Sequence, residues 1–194
     1  MSTPKTEPTG KAGRYQRSAA GLVTSLVVTV IGLGALLYFT GAFRHDLVIK
    51  PEAIDYAGTI ASAQQAGLTP VYPATLPDGW IATGVDIVPG DDPVFMVRLL
   101  TDDGDFVGVR QEDSTIPALL AKWVDEETQV ADAYTVPASV TAPVVRDWKG
   151  YTDDGGDTAF AAELGDDSLL VFGSASAGDL QVVVDSLTTE PIKN

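Results

Sequence analysis

The sequence predicts an α+β protein: an N-terminal transmembrane helix, then one domain with helices packed on an antiparallel sheet of about six strands. Three observations carry this. Residues 18–43, SAAGLVTSLVVTVIGLGALLYFTGAF, contain no charged side chain, and an apolar helix of about 20 residues crosses the hydrocarbon of a bilayer. Beyond it, short apolar runs are separated by Asp-Gly and Gly-Asp pairs, the turn chemistry of antiparallel neighbours; parallel strands need crossovers of about a dozen residues. Two segments, Ile116 to Glu127 and Gly178 to Leu187, switch to helical spacing, each after three strand-like runs. The order strand, strand, strand, helix therefore occurs twice.

Residues 1–17, MSTPKTEPTGKAGRYQR, offer almost nothing apolar to bury and read as a disordered tail. They carry Lys5, Lys11, Arg14 and Arg17 against Glu7 alone, a balance of +3, so the rest of the chain holds −18 of the total −15. Basic residues flanking a span stay on the cytoplasmic side. The tail is thus expected inside, residues 18–43 in the membrane and the acidic domain outside. Tyr38, Phe39 and Phe43 suit the far interface. A cleaved signal peptide fits less well because the apolar run is too long, and a lipid-anchored one is excluded because the chain has no cysteine. The same lack of cysteine removes disulfides, thiol nucleophiles and cysteine metal sites. A domain this acidic repels phosphate, so nucleic acid is not an expected partner.

Residues 44–70 are expected to connect membrane and domain. Within them Pro51 to Gln65 reads as a helix with Ile54, Ala57 and Ala61 on one face and Gly67 past its end. The domain, residues 71–189, opens with VYPATLPDGW, where two prolines keep the chain extended, Asp78-Gly79 turns it and Trp80 closes one end of a core. Strands are expected over Ile81–Val88, Val94–Leu100 and Phe106–Gln111, the last two joined at Thr101–Asp105 in the clearest hairpin of the chain. Ile116, Leu119, Leu120, Trp123 and Val124 share a helix face, with Ser114 or Thr115 as cap. A Val- and Pro-rich connection follows. Strands are then expected over Val144–Tyr151, Thr158–Leu164 and Ser168–Ser174, and a closing helix buries Leu180, Val183, Val184 and Leu187, capped by Ser176. Residues 190–194 read as a tail.

Little here resembles catalytic machinery, and no catalytic residue, cofactor or metal is expected. The single histidine, His45, sits beside the expected membrane surface, where it cannot serve a nucleophile inside the domain. Gly173 to Gly178, GSASAG, departs from a nucleophile elbow because Ser174 stands where the first glycine should precede Ser176. The aspartate groups at 91–92, 102–105, 153–157 and 166–167 lack the ordered ligand positions of a calcium loop and read as turn formers, although two loops together could build a cation site. Trp123 and Trp148 fall at core positions. Trp80 is the candidate ligand-binding residue.

The basic tail and span, YPATLPDGW (Tyr72 to Trp80), a strand ending in VRQ (Val109 to Gln111) after a DDGD turn, DWKGY (Asp147 to Tyr151) and FGSASAGDLQVVVDSL (Phe172 to Leu187) together resemble the actinobacterial family classed as domain of unknown function 4245, from Arg14 to Leu187. The resemblance implies a single-pass membrane protein with an extracytoplasmic domain, and it brings no activity or catalytic residues. The Leu-Pro-Asp-Gly opening and terminal Ser-Leu are also similar to exported bacterial domains that serve as sensors or envelope-associated modules. The expected function is accordingly a noncatalytic, membrane-anchored interaction domain, such as an accessory subunit of a membrane or envelope assembly, with the lipid bilayer and a protein as partners. A sensor or carrier of a small ligand, lipid or cell-wall fragment is the alternative, and a carboxylate-dependent envelope hydrolase the third reading.

Overall fold

The computed structural model of the chain describes residue 23, residues 26–33 and residues 51–192. The chain divides into two units, residues 1–49 and 50–194. In the first, residues 26–33 are helical, and Leu26, Val27, Val28, Val30, Ile31 and Leu33 are each 50–65% exposed. At 3.6 residues per turn these positions spread around most of the helix circumference, leaving only a Thr29 and Gly32 sector. No helix among the described residues is long and apolar enough to cross a membrane; most of the expected span 18–43, and His45 with it, lies outside the described residues, as does the tail 1–17.

The second unit is α+β. Its elements are α1 (Tyr56–Gln65), β1 (Tyr72–Pro73), β2 (Ile81–Val88), β3 (Val94–Leu100), β4 (Phe106–Glu112), α2 (Ile116–Trp123), β5 (Gln129–Thr135), β6 (Asp147–Thr152), β7 (Thr158–Leu164), β8 (Asp167–Gly173), α3 (Ala177–Ser186) and β9 (Leu187–Thr188). Seven strands form one antiparallel sheet in the order β2-β3-β4-β8-β7-β6-β5, while β1 and β9 pair separately. Val109 opposite Val171 lies in the ladder that joins the two meanders.

Strand alternation gives the sheet two apolar faces. On one, Val97, Leu99, Val107, Val109, Phe160, Leu169 and Val171 meet Ile60 of α1 and Leu180, Val183 and Val184 of α3. On the other, Met96, Ala159, Ala161, Leu170 and Phe172 meet Ile116, Leu119 and Leu120 of α2. The central strand β8 is therefore buried on both sides, which is why Leu169 to Phe172 reads as a continuous apolar run rather than an alternating one. The two helices that end the rounds lie on opposite faces. A two-fold relation across the antiparallel β4–β8 pair would have placed them on the same face, so similar element order here does not mean a symmetric repeat.

Four details differ from the expectation. The Val- and Pro-rich connection contains β5, so the sheet has seven strands rather than about six, and the second round has four. β5 is an edge strand with Val130 84% exposed, and its register shifts between Ala131 and Tyr134; with one neighbour and little buried, it has no apolar alternation to betray it. β6 begins at Asp147 rather than Val144. The helix assigned to a connector starts at Tyr56, capped by Asp55 accepting from the Gly58 N–H; it buries Ile60 and Ala63 in the domain core, while Ile54 lies outside the helix and donates to the Ala82 carbonyl at 2.9 Å. The expected 190–194 tail is tied down as far as Ile192: Gln64 donates to the Glu190 carbonyl and accepts from the Ile192 N–H, both at 3.0 Å.

Thr115 and Ser176 cap α2 and α3 as their spacing requires. Below α2, Arg110 is buried, ion-paired to Glu112 at 2.6 Å and stacked 4.1 Å over Trp123, so the cation that enters the core face does so with a partner on each side.

Two outcomes follow in urea unfolding monitored by tryptophan fluorescence. Leu170→Ala, at a fully buried position, is expected to cost about 2–5 kcal/mol, whereas Val130→Ala stays within about 0.5 kcal/mol. Tyr134 of β5 donates to Asp185 Oδ1 of α3 at 2.9 Å; burial first, then the bond to Asp185 and its charge, push the phenol up to about 12. The folded state keeps this proton after the unfolded chain has lost it. The contribution is complete below the ordinary tyrosine value near ~10 and disappears as pH rises toward 12. Stability is expected to fall across that alkaline window, with a shallower slope in Tyr134→Phe.

Candidate functional site

Three connections meet at one end of the sheet: the β2–β3 loop, the β4–α2 junction and the β7–β8 turn. Antiparallel pairing brings them together, since β3 begins, β4 ends, β7 ends and β8 begins at this same edge. In the two-residue β7–β8 turn Gly165 has φ +65°, the positive value that the first position of a II′ turn demands and that glycine adopts without strain. Asp166 is thereby presented at the tip.

Between these segments lies a groove of about 440 Å³, lined by Asp113, Ile116, Lys149, Tyr151, Glu163 and Asp166, with Ser168 also on its wall. It adjoins a space of about 310 Å³ bounded by Asp91, Asp92, Asp113, Asp166 and Asp167. The shared residues make these two parts of one acidic depression. Among the described residues the ion pairs are Arg98–Asp86, Arg110–Glu112 and Lys122–Glu112, so none of the groove carboxylates is neutralised by a salt bridge. No three His, Asp or Glu side chains among the described residues come close enough together to hold a metal ion.

Gln111 fixes this end from within. Its side chain is buried, Nε2 donates to Asp167 Oδ2 at 2.7 Å, and Oε1 accepts from the buried Val71 N–H at 2.8 Å. One amide thus sets the position of a groove carboxylate and satisfies a backbone donor that would otherwise be stranded. A second space, about 350 Å³, lies between α1, β1 and the C-terminal segment and is lined by Tyr56, Tyr72, Glu190 and Ile192. Its phenols already donate to the Pro73 carbonyl at 3.0 Å and the Glu190 carbonyl at 2.6 Å. Burial raises both pKa values.

The residues singled out in the sequence are distributed as follows. Trp80 is half-buried against the main core, after the turn closed by its N–H to the Pro77 carbonyl at 3.2 Å, and it lines neither space. Trp148 is 2% exposed and donates to the Val145 carbonyl at 3.1 Å; Trp123 is half-buried under Arg110. Asp153 accepts the Asp157 N–H at 2.8 Å, a turn-forming bond, and burial followed by the Asp153 charge raises the Asp157 pKa. In the Asp102–Asp105 hairpin it is the Thr101 hydroxyl that accepts the Asp105 N–H, at 2.9 Å. Ser176 is engaged as a cap, donating to Asp179 Oδ2 at 2.6 Å. Of the acidic runs, those at 91–92 and 166–167 converge, joined by Asp113 and Glu163, which no local pattern marks.

The family model described as "Protein of unknown function (DUF4245)" matches residues 14–187. The chain belongs to this family. No curated protein matches the chain. DUF4245 membership assigns no activity to the fold or to its acidic depression.

Gln111→Leu is expected to destabilise this DUF4245 domain by about 1–3 kcal/mol, because the buried Val71 N–H loses its acceptor. Urea unfolding checks this; a neutral result would mean that the Gln111 bonds do not hold this end of the sheet.

Proposed function

We propose that this DUF4245 protein is a single-pass membrane protein whose acidic domain faces away from the cytoplasm and works as a noncatalytic interaction module, an accessory subunit of a membrane or envelope assembly. The observation that carries the reading is the helix at residues 26–33, whose apolar side chains are half to two-thirds exposed around most of its circumference. In water such a surface is costly at about 25 cal/mol per Å²; lipid removes the cost. The uncharged sequence from 18 to 43 supplies the length and the basic residues before it supply the orientation.

The interaction reading is preferred to the carrier reading because the groove walls are dominated by carboxylates and hydroxyls, whereas a pocket for a lipid or similar ligand is lined mainly by apolar side chains. Ser176, the nearest approach to a nucleophile motif, is occupied in capping α3, which supports a role without catalysis.

The full chain with a C-terminal epitope is expected to stay in the membrane pellet after alkaline carbonate washing, and protease added to intact spheroplasts is expected to destroy the epitope. Recovery in the aqueous fraction, or protection of the epitope until the cells are lysed, would contradict the proposal.

A further inference from the structure

We infer that the depression at the end of the sheet receives a basic side chain, arginine or lysine, from a segment of a protein partner. The inference rests on the interaction-module reading and adds to it a place and a chemistry. Its starting point is Ser168, which is 5% exposed and lies on the groove wall. In the sheet Ser168 stands directly between Glu112 of β4 and Glu163 of β7, and alternation along β8 points its side chain to the same face as Leu170 and Phe172, the face on which α2 and the groove lie. Its hydroxyl has no hydrogen-bond partner among the described residues. The hydroxyl is not fully enclosed, since Trp123 Nε1 is the one such polar atom without a partner among the described residues; it opens onto the groove, where a donor or acceptor from outside can reach it.

The charge around it selects the sign of that group. Glu163, Asp113, Asp166, Asp167, Asp91 and Asp92 surround the depression and have no ion-pair partner among the described residues; Lys149 is the one opposing charge on its walls. The N-terminus of α2 also opens here and would favour an anion, but the Thr115 side chain already accepts the Ala118 N–H and the carboxylates outnumber it. The acceptors are spread over three connections and do not converge as metal ligands do. Spread acceptors match a guanidinium, whose five donors reach separate oxygens, or an ammonium with three, better than a bare ion. Tyr151 supplies an aromatic wall for the aliphatic stem of such a side chain.

The test uses the full chain in detergent micelles and a fluorescein-labelled Gly-Ser peptide carrying two arginines, compared with the same peptide carrying citrulline. The arginine peptide is expected to bind and the citrulline peptide to fail. Ser168→Ala is expected to weaken binding roughly tenfold with an unchanged melting temperature, because a hydrogen bond to a charged group is lost only in the complex. The pair Glu163→Gln with Asp166→Asn should weaken it further, while Asp102→Asn with Asp103→Asn, an equal change of net charge in a turn outside the groove, should leave it unchanged. Equal losses in the two double variants, wild-type binding by Ser168→Ala, or groove-dependent binding of spermidine or calcium but not of the arginine peptide would overturn the inference. These failures differ from failure of the module reading, which shows as loss of the chain from the membrane fraction.

Discussion

Burial of the central strands on both faces of the sheet is the constraint on which the rest of this domain depends. Leu170 and Val171 are adjacent in β8 and both 0% exposed, yet they point to opposite sides, so each side needs its own cover. α2 supplies one and α1 with α3 the other. Each buried Leu or Val side chain contributes about 1.5–3 kcal/mol, and removing either layer would expose a row of them at once. The covers leave the strand ends as the places where polar side chains gather, and the acidic depression occupies one of these ends.

The same constraint explains the polar groups that do enter the interior. Arg110 alternates onto the α2 face and survives there because Glu112 and the Trp123 ring meet it; Gln111, one residue on, alternates to the opposite face and bonds the Val71 N–H and Asp167. Adjacent residues of one strand thus hold α2 on one side and the acidic end on the other. Trp123 Nε1, which is fully enclosed, lacks a partner among the described residues, as does the Ser168 hydroxyl, which opens onto the groove among those carboxylates.

Much of this fold was legible because local chemistry and tertiary placement agree. Leu180, Val183 and Val184 are spaced for a helix and are buried in α3, while Leu187, expected to end that helix, is buried instead at the start of β9; Thr115 and Ser176 sit one residue before their helices and cap them. β5 was not legible because an edge strand that buries little carries no alternation, and α1 was misplaced because its small residues, Ala57, Ala61 and Ala63, leave the buried face ambiguous until Ile60 is seen in the core. The acidic site was half legible. Asp91, Asp92, Asp166 and Asp167 are plain as turn residues, but their convergence follows from the β4–β8 pairing, a contact between strands more than fifty positions apart in sequence, and Glu163 and Ser168 become neighbours only across the β7–β8 register.

The proposed division of labour follows from the sequence charge: lipid is to solvate the uncharged stretch from 18 to 43, and the carboxylate-lined end of the domain is to meet a partner. The most direct measurement is site-specific photocrosslinking in native membranes, with the photoreactive group placed at Asp166 in one sample and at Asp102 in another. The account requires a defined adduct from position 166, attached beside a lysine or arginine of the partner, and none from position 102. Adducts from 102 alone, or equal yields from both positions, would contradict it.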